Sequence, residues 1–132
     1  MNECIFCKIV KGEIPCAKIW EDEKHLAFLD INPYCNGHTL IIPKKHSRWL
    51  WDIQDKDYVD LILKTKQIAE KLKKYFKTDW IEMVVAGMDV KHTHIHILPR
   101  KLSDGFTEIP KEPMKPKPSN EELNNLAKEI KG

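Results

Sequence analysis

Residues 92–100 read His-Thr-His-Ile-His-Ile-Leu-Pro-Arg, so three of the chain's six histidines alternate with β-branched residues. Such alternation predicts a strand, in which successive side chains point to opposite faces. Thr93, Ile95 and Ile97 then enter the core, while His92, His94 and His96 line the other face and recur about every 7 Å. Packing alone does not call for three imidazoles on one strand face. Two chemistries use such a row. A His-x-His pair with a third ligand can hold zinc or iron, because imidazole is the commonest protein metal ligand. Alternatively, a neutral imidazole nitrogen attacks phosphorus while its other nitrogen donates to a backbone carbonyl that fixes the tautomer. A phosphohistidine intermediate would then divide one difficult displacement into two easier ones.

The four cysteines stand at positions 4, 7, 16 and 35. The opening MNECIFCKIVKGEIP lacks the basic, apolar and small-residue order of a secretory signal. A cytoplasmic, reducing location is therefore expected, without disulfides. Cys4-Ile-Phe-Cys7 becomes a candidate metal half-site, whereas Cys16 and Cys35 read as small buried thiols. The chain has 132 residues, 42% hydrophobic and 32% charged, the size and balance of one globular domain. Its net charge of +2 comes from 22 basic and 20 acidic residues with no long block of either sign. No nucleic-acid partner is expected, since that requires a clustered basic face. No membrane association is expected either, because no run approaches the roughly 18 apolar residues of a span.

These groups must be positioned by ordinary elements. Ile5, Phe6, Ile9 and Val10 have helical spacing that stops at Gly12, predicting a short helix. Ala17–Glu21 and Leu26–Leu29 read as strands around an Asp22-Glu23-Lys24 turn. Asn32-Pro33 and Asn36-Gly37 mark a loop, and His38–Ile42 is a third strand closed by Pro43. From Asp55 to Phe76 the period changes. Tyr58, Leu61, Ile62, Thr65, Ala69, Leu72 and Phe76 form one face of a long amphipathic helix. Trp80–Val85 and His92–Leu98 complete five strands. A proline- and lysine-rich extended arm runs from Phe106 to Pro118. Ser119-Asn120-Glu121-Glu122 is a capping box before a short helix carrying Leu123, Leu126, Ala127 and Ile130. The order implies an α+β domain, an antiparallel sheet with helices on one side. His25 reads as a surface residue, and Trp20, Trp49, Trp51 and Trp80 as core anchors or a subunit contact.

HTHIHILPR resembles the signature of the histidine-triad (HIT) superfamily of nucleotide hydrolases and transferases. CIFCKIVKGEIPCAKIWEDE and LAFLDINPYCNGHTLIIPKKH resemble that family's N-terminus and its central strand–loop–strand block, so the likeness covers roughly residues 4 to 100 in order. It implies a HIT-like fold: a five-stranded antiparallel sheet, one long helix and short terminal helices. Residues 1–105 would be the HIT domain, and 106–132 a proline-rich C-terminal arm and short helix belonging to the same single domain. His94 corresponds to the nucleophile, His96 to the histidine beside the α-phosphate and leaving group, and His38 to one facing the nucleophile from a neighbouring strand. Asp30 corresponds to the acid that binds the ribose hydroxyls. Ile5, Phe6, Ile9, Phe28, Leu29 and Ile31 would form an apolar slot for the base, with plain core packing the alternative for each. Cys4, Cys7, His46 and His92 match the structural zinc ligands of a subset of the family. The resemblance further implies a purine nucleotide substrate such as an AMP or GMP conjugate, no catalytic metal, and a homodimer joined through the long helix and the neighbouring strand.

The chain departs from the family between the fourth strand and the triad. Val84–His92 is a short loop, and Met88 stands where a phosphate-contacting glutamine is expected. Backbone N–H groups of Gly87 and Met88 are the remaining candidate donors there, and Asp89 brings a negative charge near an anion site. A short phosphoramidate suits such a pared-down site better than a dinucleoside polyphosphate. A dinucleoside polyphosphate hydrolase, or a nucleotide-binding protein with little activity, is the alternative.

Overall fold

Five strands, β1 (Ala17–Glu21), β2 (His25–Leu29), β3 (Thr39–Pro43), β4 (Trp80–Val84) and β5 (Ile95–Arg100), form one antiparallel sheet in the order β1-β2-β3-β5-β4. Among the described residues the α-helices are α1 (Ile5–Val10), α2 (Asp55–Phe76) and α3 (Asn120–Lys131), with short 3-10 turns at Leu50–Asp52 and Leu102–Asp104. This is the expected α+β architecture of the HIT fold. The computed structural model describes residues 3–105, 109 and 111–132. Among them, no helix is long and apolar enough to cross a membrane.

The helices form where the sequence supplies an apolar face and end residues that suit a cap or the helix dipole. On α2, Leu61, Thr65, Ile68, Leu72 and Phe76 are buried, while Asp55 and Asp57 sit in the first turn and Lys73 and Lys74 in the last, complementing the helix dipole. The buried stripe thus centres on Ile68, and the expected Tyr58, Ile62 and Ala69 lie at its half-buried margin. On α3 the Ser119–Glu122 capping box forms as expected, with Leu123, Ala127 and Ile130 buried. Helices α2 and α3 cover one face of the sheet, where Ala27, Leu29, Ile41, Ile95 and Ile97 join their apolar residues in the main core.

The helices are not all on one side. β2 is buried along its whole length, so its second face also needs a cover. Phe6 of α1 supplies it, packing with Leu26, Phe28, Leu40 and Ile42. Cys4 caps this short helix, its Sγ accepting from the Cys7 N–H.

β5 also begins and ends later than the alternation predicts. The Thr93 N–H leaves the sheet to bond the Ser47 carbonyl, so His92, Thr93 and His94 lie on the approach to the strand. At its other end β5 continues through Pro99. The Pro99 carbonyl accepts from the Cys35 thiol, so the proline's backbone faces away from β4, beyond the stretch paired with β3, where a missing N–H costs no ladder bond. Arg100 is fully buried and bridges Glu82 and Asp104 while lying over the Trp80 ring. Phe106, Thr107, Glu108 and Pro110 of the expected arm lie outside the described residues. From Lys111 to Pro118 the arm has no regular structure.

Candidate active site

The antiparallel register pairs Leu40 of β3 with His96 of β5. Strand alternation then puts His38, two residues before Leu40, diagonally beside His96 on the same face. Their rings meet, with His38 Nε2 2.9 Å from His96 Nδ1. The preceding Gly37, at φ +87°, is held where a Cβ would stand 2.4 Å from Cζ of Phe76 and 3.0 Å from Pro99, so glycine is required at this turn.

Neighbouring groups fix the protons of this pair. The Tyr34 amide donates to His38 Nδ1 at 3.0 Å, so a neutral His38 carries its proton on Nε2 and donates it to His96 Nδ1. A neutral His96 then carries its own proton on Nε2. Burial favours the neutral form of both rings. Burial holds His38 below the usual histidine range, against the opposing pull of Asp30. Burial, reinforced by His38 and His94, pushes His96 down to about 4.

His94 is buried and differently wired. Its Nδ1 lies 2.7 Å from the His92 carbonyl, which in the neutral ring places the proton on Nδ1 and leaves a lone pair on Nε2. The ring is wedged between Phe6 and His96, with centroids 5.2 and 4.9 Å away. Ser47 anchors the approach to it, its hydroxyl bonding Thr93 Oγ1 at 2.7 Å. An imidazole nitrogen with a fixed lone pair, next to a neutral histidine offering an N–H, can attack an electrophile while a donor meets the leaving atom.

A pocket of about 300 Å³ opens beside this pair and includes Asp30, Asn32, Tyr34, Asp89 and His96 in its walls. Its described lining contains two carboxylates and no lysine or arginine. Asp30 Oδ1 accepts from the Asn32 N–H, and Oδ2 stands 3.6 Å from His38 Nε2. The expected base-slot residues separate into three kinds. Phe6 and Phe28 are buried edge to face, 5.6 Å apart, against the triad side. Ile5 and Ile31 are exposed and Ile9 half-buried, so all three have surface to offer. Leu29 is not on this face. Strand alternation turns it into the main core beneath α2 and α3. Met88 is 78% exposed, while Gly87 is buried. Arg48 Nη1 donates to the Gly87 carbonyl and its guanidinium lies over the Trp49 ring, so these two residues anchor the shortened loop.

Cys4, Cys7, His46 and His92 also converge, their four candidate ligand atoms all within 4.8 Å of one another. Cys4 Sγ is 3.4 Å from His92 Nδ1, and Cys7 Sγ is 3.3 Å from His46 Nδ1. A tetrahedral zinc with bonds of about 2.3 Å to sulfur and 2.05 Å to nitrogen separates such atoms by about 3.6 Å. His92 Nε2 donates to the Pro43 carbonyl at 2.8 Å, which leaves Nδ1 unprotonated toward the cluster, as a second-shell carbonyl does for a metal-bound histidine. These residues fit a structural zinc. It would tie α1 to β3 and to the start of the triad and supply folding energy, with no open position for catalysis.

Asp30, His38 and His96 form a second convergent group. Here a metal on His38 Nε2 would require the ring proton to move to Nδ1, against the Tyr34 amide. The group is built as a hydrogen-bonded pair.

Tyr34, Asn32, Ser47 and Arg48 were not foreseen as site residues. Asn32-Pro33 flagged a turn, but no side-chain pattern says that its backbone amide will meet His38. His25 is another departure: it is buried, with Nδ1 3.0 Å from Asp22 and Nε2 3.8 Å from Asp60. A larger cleft, about 570 Å³, lies beside it and includes Glu23, Lys44, Lys45, His46 and Asp57. Its charges are mixed and it lacks a paired nucleophile and donor.

A HIT domain model matches residues 11–102. An uncharacterized HIT-like protein of Methanocaldococcus jannaschii is 44% identical, covering 98% of this chain and 99% of its own length. The adenosine 5′-monophosphoramidase of Schizosaccharomyces pombe is 35% identical, over 95% of this chain and 98% of its own. Among solved structures, a zinc-bound histidine-triad family protein from Mycobacterium smegmatis superposes with a TM-score of 0.76 at 29% identity, covering 98% of this chain and 93% of that one. The likeness runs through the sheet, the triad and both termini, and this chain belongs to the HIT family.

Proposed function

We propose that the protein is a nucleoside phosphoramidase that works through a nucleotidyl-histidine intermediate on His94. The observation that carries this reading is the hydrogen bond from His94 Nδ1 to the His92 carbonyl, which leaves Nε2 free in its neutral form. Nε2 attacks the α-phosphorus of an AMP or GMP conjugate and the N–P bond to the enzyme forms. The P–N bond to the leaving amine breaks, and the amine departs with the electron pair and a proton from solvent. His96 Nε2–H donates to the leaving atom. Water then cleaves the phosphohistidine, releasing the mononucleotide and restoring the imidazole. Asp30 is the acceptor for the ribose hydroxyls. Phe6 and Phe28 back the triad, with Ile5, Ile9 and Ile31 as the apolar edge for the base.

A short substrate is supported by the pocket's charges. With Asp30 and Asp89 lining it and no described lysine or arginine, a polyphosphate chain would meet uncompensated repulsion, whereas one phosphoryl group has the His96 N–H in the pocket wall, with the Gly87 and Met88 amides as candidate donors outside that lining. The relative in S. pombe, named for monophosphoramidase activity, supports the same class. The two carboxylates also favour a second reading, a nucleotide-binding protein with little turnover. Zinc held by Cys4, Cys7, His46 and His92 would be structural. Exposed Val59 and Leu63 on α2 and Met83 on the edge strand β4 support a homodimer through those elements, which light scattering would test.

Mixing the protein with an adenosine phosphoramidate and recording intact mass after a rapid acid-free quench tests the catalytic reading. A transient gain of one AMP on wild type and none on His94→Ala is expected. Wild-type activity in His94→Asn would end the proposal, and tight AMP binding without turnover would favour the second reading.

A further inference from the structure

The described part of the C-terminal arm touches the catalytic loop at an informative place. The Met114 amide donates to the Pro33 carbonyl at 2.7 Å. That carbonyl and the Tyr34 N–H belong to one peptide unit, and the Tyr34 N–H is the group that donates to His38 Nδ1. A continuous donor-to-acceptor chain therefore runs from the arm, through a single planar peptide, into His38 and on to His96. Every link has the same polarity. The planar peptide cannot turn its N–H without turning its C=O, so fixing one end fixes the other. Aligned hydrogen bonds also polarise one another, making the Tyr34 N–H a better donor when its carbonyl is occupied.

Dense packing does not do this work instead. A cleft of about 380 Å³ remains between the arm and the loop, with Pro33, Gly37, His38, Met114 and Leu123 among its walls. Met114 is half-buried and Lys115, Pro116 and Lys117 are exposed, so the backbone bond is the specific tie between the two segments.

We propose that the backbone N–H of Met114 is a positioning group for the catalytic histidines: by holding the Pro33–Tyr34 peptide it sets the tautomers of His38 and His96 and so presents His96 Nε2–H to the leaving atom. The arm is thus wired to the site. The kinetic consequence rests on the phosphoramidase reading above, whereas the tautomers are a property of the resting protein and are measured without turnover.

The test uses the full-length protein labelled with ¹⁵N, in which long-range ¹H–¹⁵N spectra identify the protonated ring nitrogen. Four forms are compared: wild type, Met114→Ala, Met114→Pro, and a variant with the 114 amide replaced by an ester through an α-hydroxy acid. The ester removes the N–H without introducing a ring, its other change being a weaker acceptor at the residue 113 carbonyl, and it decides the matter should the proline variant fold poorly. Wild type and Met114→Ala should show His38 and His96 protonated on Nε2. The proline and ester forms should show a His38 mixture, with more than about a tenth carrying its proton on Nδ1. On an adenosine phosphoramidate, their kcat should fall about fivefold at unchanged KM, the rate equivalent of one net hydrogen bond of about 1 kcal/mol. Unchanged His38 tautomers in the ester form would overturn the proposal. Changed tautomers in the ester form, beside a wild type that turns over no phosphoramidate, would uphold the wiring and reject the phosphoramidase reading instead.

Discussion

Acidification from pH 7 to 4 probes whether His96 is held neutral by the fold. An unfolded histidine takes up its proton near pH 6.5, whereas burial, with His38 and His94 adding to it, pushes His96 down to about 4. Over that interval the unfolded state binds a proton that the native state refuses. Stability from this group is therefore present above about pH 6.5 and is lost progressively as the pH falls toward 4. Integrating the difference from pH 7 to 4 gives a loss of about 3 kcal/mol. His38 and His92, both also lowered mainly by burial, lose stability in the same direction. Urea unfolding of wild type and His96→Asn at a series of pH values isolates the contribution, because other titrating groups are shared. With an m-value of about 1.5 kcal/mol per molar, the wild-type midpoint should fall about 2 M further than the variant's between pH 7 and 4. Parallel curves for the two proteins would refute the buried neutral His38–His96 pair.

Three other perturbations have defined outcomes. Gly37→Ala places a methyl at φ +87° and 2.4 Å from the Phe76 ring, which is only 9% exposed; strain and overpacking together should cost about 3 kcal/mol in denaturant unfolding, and a loss under about 1 kcal/mol would show that the loop yields. The protein should carry about one zinc by elemental analysis and lose most of it in Cys7→Ser; at a thousandfold excess of metal over Kd, zinc stabilises by about 4 kcal/mol, so a chelator should lower the melting temperature, and an unchanged value would reject the structural site. Asp89→Asn removes one of two carboxylates from the pocket and should tighten AMP binding by about threefold at low salt, an effect that fades as salt is raised; equal affinities by calorimetry would place Asp89 outside the phosphate's field.

Much of this molecule is written locally. Period-2 and period-3.6 patterns located all five strands and α2, Ser119 and Glu122 announced the α3 cap, and the triad with its flanking motifs pointed to the HIT family. Alternation also predicted that Ile95 and Ile97 would face the core and His96 the opposite side, because side-chain direction along a strand follows from the backbone alone. Other features depend on what crosses the chain. The side of the sheet that α1 covers is chosen by whichever face of β2 still exposes Leu26 and Phe28. Alternation sends Leu29 and Phe28 to opposite faces, but which face is the main core is decided by where α2 and α3 pack, which a list of apolar residues does not contain. Arg100 is polar in any sequence reading, yet it is fully buried because Glu82, Asp104 and Trp80 surround it. The proton arrangement of the site was legible only in outline, as a backbone carbonyl at the nucleophile's second nitrogen, without saying which one. It is set by the carbonyl of His92 and the amide of Tyr34, and backbone groups are the same in every sequence, so only the tertiary structure decides which histidine nitrogen they meet.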